Sequence, residues 1–309
     1  MLNILSIVAP VFLLIGAGYA ATRAGRFPDA GIDGLIAFVV RFATPSLLFL
    51  SMYRVDLGAA FQPLMLVSFY AGAFACFFIG RAVALRLGRR PGEAVSLGFA
   101  ALFSNTVLVG LPIMFRAYGE EATQPAFAII ALHAPSLYTF GMVMMEMSRQ
   151  GGEGAVAALK RAGRSVSSNA LMIGIFLGLL ANLTGLPLPG PVEDTLEMLA
   201  SATLPAALFA LGAALTRYKL QAEIGWAAGL SALGLIVHPL IAWILSDLVF
   251  GLEREFVNAA VVIAAMPAGL NVYVFATLYK RAEPAAAGVV LMSTALSVIT
   301  ISVWLAVLG

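Results

Sequence analysis

The sequence predicts an all-α polytopic membrane protein with ten transmembrane helices in two inverted five-helix repeats. Three observations lead to this fold class. Hydrophobic residues make up 61% of the 309-residue chain and charged residues only 11%, whereas soluble domains contain roughly 45–50% and 25%. Ten apolar runs have the length of a membrane span, and basic residues concentrate in alternate loops. The excess apolar surface therefore faces lipid.

The apolar runs are each about as long as the roughly 20 residues that a helix needs to cross the hydrocarbon core. The first run lacks a preceding basic region and a cleavage site, so we expect a span rather than a signal peptide. The ten runs cover residues 4–22, 34–53, 62–85, 94–116, 125–147, 168–184, 195–216, 224–250, 257–279 and 285–308.

Charge placement predicts the orientation in the membrane. Loops after the odd-numbered spans carry 13 Lys and Arg residues, and the opposite loops carry only Arg54, Arg116 and Arg254. Because basic loops stay in the cytoplasm, we expect a cell-membrane protein with both termini on the non-cytoplasmic side. The net charge of +2 gives no indication of nucleic-acid binding.

The chain divides into two similar halves. Residues 148–167 form the longest polar interruption and are predicted to be a cytoplasmic linker between a first repeat, 1–147, and a second repeat, 168–309. Pro45 in the second span and Pro205 in the seventh are each followed four residues later by phenylalanine. Five spans per half is an odd number, so the second repeat has the opposite orientation in the membrane.

The fourth and ninth spans are predicted to be broken helices. Pro112 and Pro267 each have a glycine close by, and each span also contains an asparagine, Asn105 or Asn271. Proline removes an amide donor, so we expect unpaired main-chain groups and half-helix N-termini near the membrane midplane, where they attract an anion. The alternative is that proline and glycine are simply common in membrane helices and that asparagine links neighbouring helices.

These segments resemble the auxin efflux carrier family, which includes plant PIN auxin exporters and bacterial malonate-type carriers. It lies within the bile acid, arsenite and riboflavin transporter superfamily. The resemblance covers essentially all ten spans, although the long central loop of many plant members is missing. Its motifs are residues 105–112 with Tyr118-Gly119, the two proline segments of spans two and seven, and residues 266–269 with 274–276 and Tyr279.

The resemblance implies an elevator transporter that forms homodimers. A scaffold of helices 1, 2, 6 and 7 would support a transport domain of helices 3, 4, 5, 8, 9 and 10. Substrate would bind where helices 4 and 9 cross. The residues expected to bind substrate are Asn105, Pro112, His133, Tyr138, Pro267 and Asn271, with Pro45 and Pro205 lining the scaffold.

Two departures from the family pattern affect the expected substrate. His133 replaces a glutamine of the plant site, and an Asp and Lys pair expected in the third helix has no counterpart near residues 69–79. Ionisable groups inside a membrane are candidates for function. His133 could bind a carboxylate, carry a proton or simply bond a neighbouring helix, and Arg41 could extend to the interface or lie near an anion path.

The expected function is transport of small organic anions, auxin-like or malonate-type carboxylates, by a facilitated or proton-linked carrier without a cofactor or metal. The alternatives are an anion channel, a substrate sensor or a sodium-coupled symporter. An enzyme is not expected, because the chain has no HExxH, no Gly-x-Ser-x-Gly and no Asp-rich diphosphate motif. A single cysteine, Cys76, excludes an internal disulfide.

Overall fold

The computed structural model describes residues 2–55, 61–119, 121–148, 170–218 and 223–309. These ranges form helices and contain no strand. The helices, in chain order, are α1 (Leu2–Arg23), α2 (Asp29–Arg54), α3 (Pro63–Arg86), α4 (Pro91–Leu102), α5 (Thr106–Tyr118), α6 (Gln124–Met147), α7 (Ala170–Thr184), α8 (Gly190–Leu215), α9 (Ile224–Val249), α10 (Arg254–Ala264), α11 (Leu270–Tyr279) and α12 (Glu283–Leu308).

Seven of these helices are long and apolar enough to cross a membrane, namely α1, α2, α3, α6, α8, α9 and α12. The shorter helices α5, α7 and α11 are also apolar. Each predicted span corresponds to one helix or to two helices separated by a break. This is the pattern of a polytopic membrane protein. Residues 149–167 of the predicted linker lie outside the described residues.

Local sequence signals explain where many helices begin and end. Proline occupies the first turn of α3, α4, α6 and α12, at positions where its missing amide would have no helical partner. Gly119 and Gly185 follow α5 and α7 with φ of 84° and 62°, a conformation that suits glycine and ends a helix.

The breaks in the fourth and ninth predicted spans do not both lie at proline. The first break covers residues 103–105, between α4 and α5, so Pro112 lies within α5 rather than at the break. The second covers residues 265–269 and contains Pro267. The prediction that Pro112 interrupts its helix is therefore wrong.

A wider helical turn explains how Pro112 is accommodated. Three of the four π-helical turns in the described ranges end two residues before a proline: Val39–Ala43 before Pro45, Thr106–Gly110 before Pro112, and Leu233–Val237 before Pro239. A π turn pairs each carbonyl with an amide five residues later. It therefore changes the pairing just ahead of the proline and lets the helix continue.

Glycines bring four helices into close contact. A Cβ at Gly18 of α1 would overlap the Phe209 carbonyl of α8, and one at Gly212 of α8 would overlap the Ile15 carbonyl of α1. In α7, Gly174 and Gly178 similarly face main-chain atoms of α2. Small residues at this spacing allow membrane helices to approach closely. Helices α1 and α8, and α2 and α7, therefore pack in two tight pairs.

Ion pairs connect helix ends that the charge pattern predicts to lie on the same side of the membrane. Arg54 pairs with Glu193 and Glu197 at the start of α8. On the side predicted to be cytoplasmic, Arg89 pairs with Glu223 at 2.5 Å and Arg217 pairs with Asp33. The Glu223 carboxylate raises the pKa of Arg89 above its ordinary value.

Candidate functional site

The two breaks meet in the interior of the protein. The Asn105 amide donates to the Pro267 carbonyl at 2.7 Å, and the Gly269 amide donates to the Phe103 carbonyl at 3.3 Å. Ser104 and Ala268 thus form an antiparallel bridge. Each break satisfies main-chain groups of the other, which is how irregular backbone is tolerated at membrane depth.

The N-termini of two half-helices lie next to each other at this meeting point. Asn105 immediately precedes α5, and its Oδ1 accepts a hydrogen bond from the Leu108 amide at 3.2 Å. Gly269 precedes α11, and a Cβ built on it would lie 3.6 Å from the Asn105 Cα. Helix N-termini carry partial positive charge. The pair therefore forms a site suited to an anion.

Donors without partners remain at these N-termini. The Asn105 side chain is only 6% exposed, and its Nδ2 has no hydrogen-bond partner among the described residues. Leu270 and Asn271 lie in the first turn of α11, where the helix itself supplies no main-chain acceptor for their amides. A buried donor left unpaired costs about 1–3 kcal/mol. A bound anion would remove that cost.

His133 and Tyr138 reach the same point from α6. The His133 ring is 2% exposed and its centroid lies 4.5 Å from that of Phe103, next to the Ser104 main chain. Neither ring nitrogen meets hydrogen-bond geometry with a described residue. The Tyr138 hydroxyl donates to the Asn271 carbonyl at 3.3 Å. The helix α6 thus contributes polar side chains to both breaks.

An aromatic cluster surrounds the breaks, and sequence reasoning missed it. Phe99 and Phe275 stack with centroids 3.9 Å apart, and Tyr138 packs against Phe99 and Phe103. The available signal was the position of Phe103 two residues before Asn105. These rings exclude water from the breaks and strengthen electrostatic interactions there.

A second histidine, His238, also lies near this cluster. Its Nε2 lies 3.0 Å from the Phe69 carbonyl oxygen, and its ring packs against the Phe69 ring. The Phe69 ring also packs against the His133 ring. This contact connects α9 to α3, which the residue spacing along α9 does not indicate.

The structure brings together five of the six residues predicted to bind substrate. These are Asn105, His133, Tyr138, Pro267 and Asn271. The Asn271 side chain is exposed beside the second break. Pro112 is buried in α5, seven residues beyond Asn105.

The other predicted residues lie on the helices that face the breaks. Pro45 is half-buried in α2, where its carbonyl approaches Gly174 of α7, and Pro205 is exposed within an unbroken α8. Arg41 is exposed in the π turn of α2. None of the three takes part in the contact between the two breaks.

A cavity of about 540 Å³ lies between these helices and the half-helix α5. Its walls come from α2 and α8 on one side and from α5 and α6 on the other, with Arg54 and Glu197 contributing charge. Leu47 and Leu204, neighbours of Pro45 and Pro205, also line it. The cavity is large enough for a small organic molecule.

Similarity to known proteins extends over nearly the whole chain. A family described as "Membrane transport protein" matches residues 3–305. The "Putative malonate transporter" of Rhizobium meliloti (strain 1021) is 28% identical, covering 98% of this chain and 95% of the relative. The "Probable auxin efflux carrier component 5c" of Oryza sativa subsp. japonica is 23% identical, covering 99% of this chain and 97% of the relative.

An archaeal relative shows the same full-length coverage. The "Uncharacterized transporter" of Methanothermobacter thermautotrophicus is 27% identical over 97% of both chains. With the apolar helices, these matches identify a multi-pass membrane transporter rather than an enzyme. The chain belongs to the membrane transport protein family, the auxin efflux carrier family that its motifs resemble.

Proposed function

We propose that the protein is a secondary carrier for small organic anions, with malonate-type or auxin-like carboxylates as the substrate class. The observation that carries this proposal is the meeting of two half-helix N-termini beside a buried, unpaired Asn105 Nδ2. Positive dipole ends and neutral donors stabilise a carboxylate without adding a fixed charge.

The site contains donors and an aromatic wall and lacks an acidic side chain among the described contacts. Asn105 and the amides of α11 would bind the carboxylate oxygens. His133, whose ring nitrogens have no described partner, would supply a further hydrogen bond. The aromatic cluster around Phe103 would contact the apolar part of the substrate. The similarity to relatives named as a malonate transporter and an auxin efflux carrier supports this substrate class.

Alternating access would use an elevator movement. The glycine contacts hold α1 with α8 and α2 with α7, and these four helices would form the scaffold and the homodimer interface. The helices that carry the two breaks would move along that scaffold with the substrate. The 540 Å³ cavity lies between the two groups and would be the route to the site.

The same-side ion pairs support the proposed topology. Arg54 and its two glutamates would lie on the non-cytoplasmic side, and the Arg89 and Arg217 pairs would lie in the cytoplasm. The cavity containing Arg54 would then open to the outside. An arginine at its mouth would attract an anion, and Glu197 would compete for that arginine.

The decisive experiment measures uptake and counterflow in proteoliposomes for carboxylates ranging from malonate to indole-3-acetate. The wild type is compared with Asn105→Ser, which keeps an acceptor that caps α5 but removes the amide donor. We expect saturable flux that falls at least about tenfold in the variant, the effect of losing one hydrogen bond to a charged group.

Three results would contradict the proposal. Equal carboxylate flux in folded wild type and Asn105→Ser would remove the breaks from the binding site. No flux for any carboxylate from folded, dimeric protein would rule out this substrate class. Single-channel currents in place of counterflow would show a channel instead of a carrier.

A further inference from the structure

A second, much smaller cavity lies behind the two breaks. Its volume is about 10 Å³, close to the smallest space that holds one water molecule. It is lined by α4, α9, α12 and both breaks, and none of the predicted substrate-binding residues lines it. Its lining includes Ala101, Ser104, Ser231, Gly234, Met266 and Ser293.

The C-terminal ends of two half-helices reach this cavity. Ala101 lies in the last turn of α4, and Met266 follows the end of α10 by two residues. Helix C-termini carry a partial negative charge of roughly half an electron each. The side of the breaks opposite the anion site therefore has a potential that favours a cation.

A main-chain oxygen is available there. The Asn105 amide donates to Pro267 across the breaks, so the Ala101 carbonyl lacks the amide that a continuing helix would supply. That carbonyl faces α9, because a Cβ built on Gly234 would lie 3.6 Å from the Ala101 oxygen. Gly234 thus leaves open space in front of a free acceptor.

Two buried hydroxyls complete the lining. Ser231 is 1% exposed, and its Oγ has no hydrogen-bond partner among the described residues. Ser293 is equally buried, and its Oγ accepts from the Ala268 amide at 3.0 Å. A hydroxyl oxygen has two lone pairs, so Ser293 can also bind a ligand. An unpaired buried hydroxyl such as that of Ser231 indicates a missing partner.

We propose that this cavity binds one dehydrated Na⁺ ion through carbonyl and hydroxyl oxygens. Hard cations prefer oxygen ligands, and unwound half-helices supply them in membrane carriers. The neutral ligand set suits a monovalent ion, because the two helix ends provide the compensating negative potential. The cavity leaves no room for a hydration shell.

The ion would act on the anion site through the bridge between the breaks. Ser293 holds the Ala268 amide, and Ala268 is paired with Ser104, the residue before Asn105. An occupied cation site would fix this bridge and with it the Asn105 side chain. Bound Na⁺ would then increase substrate affinity, and substrate would increase Na⁺ affinity by the same factor. This coupling rests on the proposed function, whereas Na⁺ binding itself does not.

The first test measures the apparent Tm of purified protein in NaCl, KCl and choline chloride at equal ionic strength. We expect Na⁺ alone to raise Tm, by about 2–5 °C at saturation. Gly234→Ala should abolish this shift, because its methyl group would lie in front of the Ala101 oxygen at ordinary contact distance without disturbing the fold. Gly229→Ala, on the same helix with nothing within 4 Å, is the matched control and should keep the shift.

The second test titrates Na⁺ against Ser231→Ala. Loss of one ligand should move the half-saturating Na⁺ concentration upward by about tenfold. Equal Tm of the wild type in all three salts would overturn the proposal and leave at most a buried water. A full Na⁺ shift in Gly234→Ala would place the ion elsewhere and also overturn it. A Na⁺ shift without carboxylate flux would refute the proposed substrate class and leave the cation site in place.

Discussion

The two breaks are matched in their main chains and different in their side chains. Each donates one hydrogen bond to the other and accepts one in return. The first break is three residues long and has an asparagine that caps the next helix, whereas the second is five residues long and its helix begins after Gly269 without a side-chain cap. Similar main-chain contacts thus coexist with different local stabilisation.

The asparagines illustrate what this difference teaches. Asn105 lies immediately before its helix, is buried, and has one group engaged and one free. Asn271 is the second residue of α11, its side chain is exposed, and its carbonyl accepts from Tyr138. We therefore expect the Asn105 side chain to affect both stability and binding, and the Asn271 side chain to affect binding alone.

Asn105→Ala should have the largest effect. It removes the cap of α5, at a cost of about 1 kcal/mol, and the free donor. We expect carboxylate flux to fall by roughly 10- to 100-fold, since a hydrogen bond to a charged group contributes about 1.5–3 kcal/mol. Flux assays and thermal unfolding of the same preparation measure both changes.

Asn105→Ser serves as the control for this substitution. Serine caps a helix about as well as asparagine, so stability should return while flux stays low. Recovery of flux together with stability would mean that the side chain acts only as a cap.

Asn271→Ala should separate binding from stability. Surface substitutions usually change the free energy of unfolding by less than about 0.5 kcal/mol, so Tm should stay near that of wild type. Flux should fall about tenfold if the side chain binds a carboxylate oxygen. A loss of stability as large as that of Asn105→Ala would show that the two breaks are equivalent after all.

Tyr138→Phe tests how firmly α6 holds the second break. The lost hydrogen bond to the Asn271 carbonyl contributes roughly 0.5–1.5 kcal/mol. We expect a KM increase of a few fold with little change in maximal flux, because the aromatic packing is retained. An unchanged KM would mean that the first break alone determines affinity.

Pro112→Ala should have the smallest effect. Pro112 lies inside a continuous α5, seven residues from Asn105, so we expect flux within about twofold of wild type. Uptake at saturating and low substrate concentrations measures it. Complete loss of flux would extend the functional part of the first break to the proline.

Helix positions were predictable because apolar runs of membrane length are a strong signal. The clustering of His133, Tyr138 and the two breaks also followed the residues carried over from the family resemblance. The location of the first break did not follow, because the rule that proline interrupts helices overlooks the π turn ahead of Pro112. Pro10, Pro135 and Pro205 likewise lie inside continuous helices.

Long-range partners were the other part that sequence could not provide. Ser231 in α9 and Ser293 in α12 are separated by two helices along the chain, and neither lies in a recognisable motif. Only the folded arrangement places both at one cavity with the end of α4. The contact of His238 with Phe69 has the same origin.

The three π turns that precede prolines have a consequence for comparing this chain with its relatives. Such a turn contains one residue more than the α-helix that it replaces, and one residue rotates everything after it by about 100° around the axis. A relative that lacks the proline two positions after such a turn does not need the additional residue of the turn. Alignments are therefore expected to show single-residue gaps near residues 39–43, 106–110 and 233–237 wherever Pro45, Pro112 or Pro239 is absent.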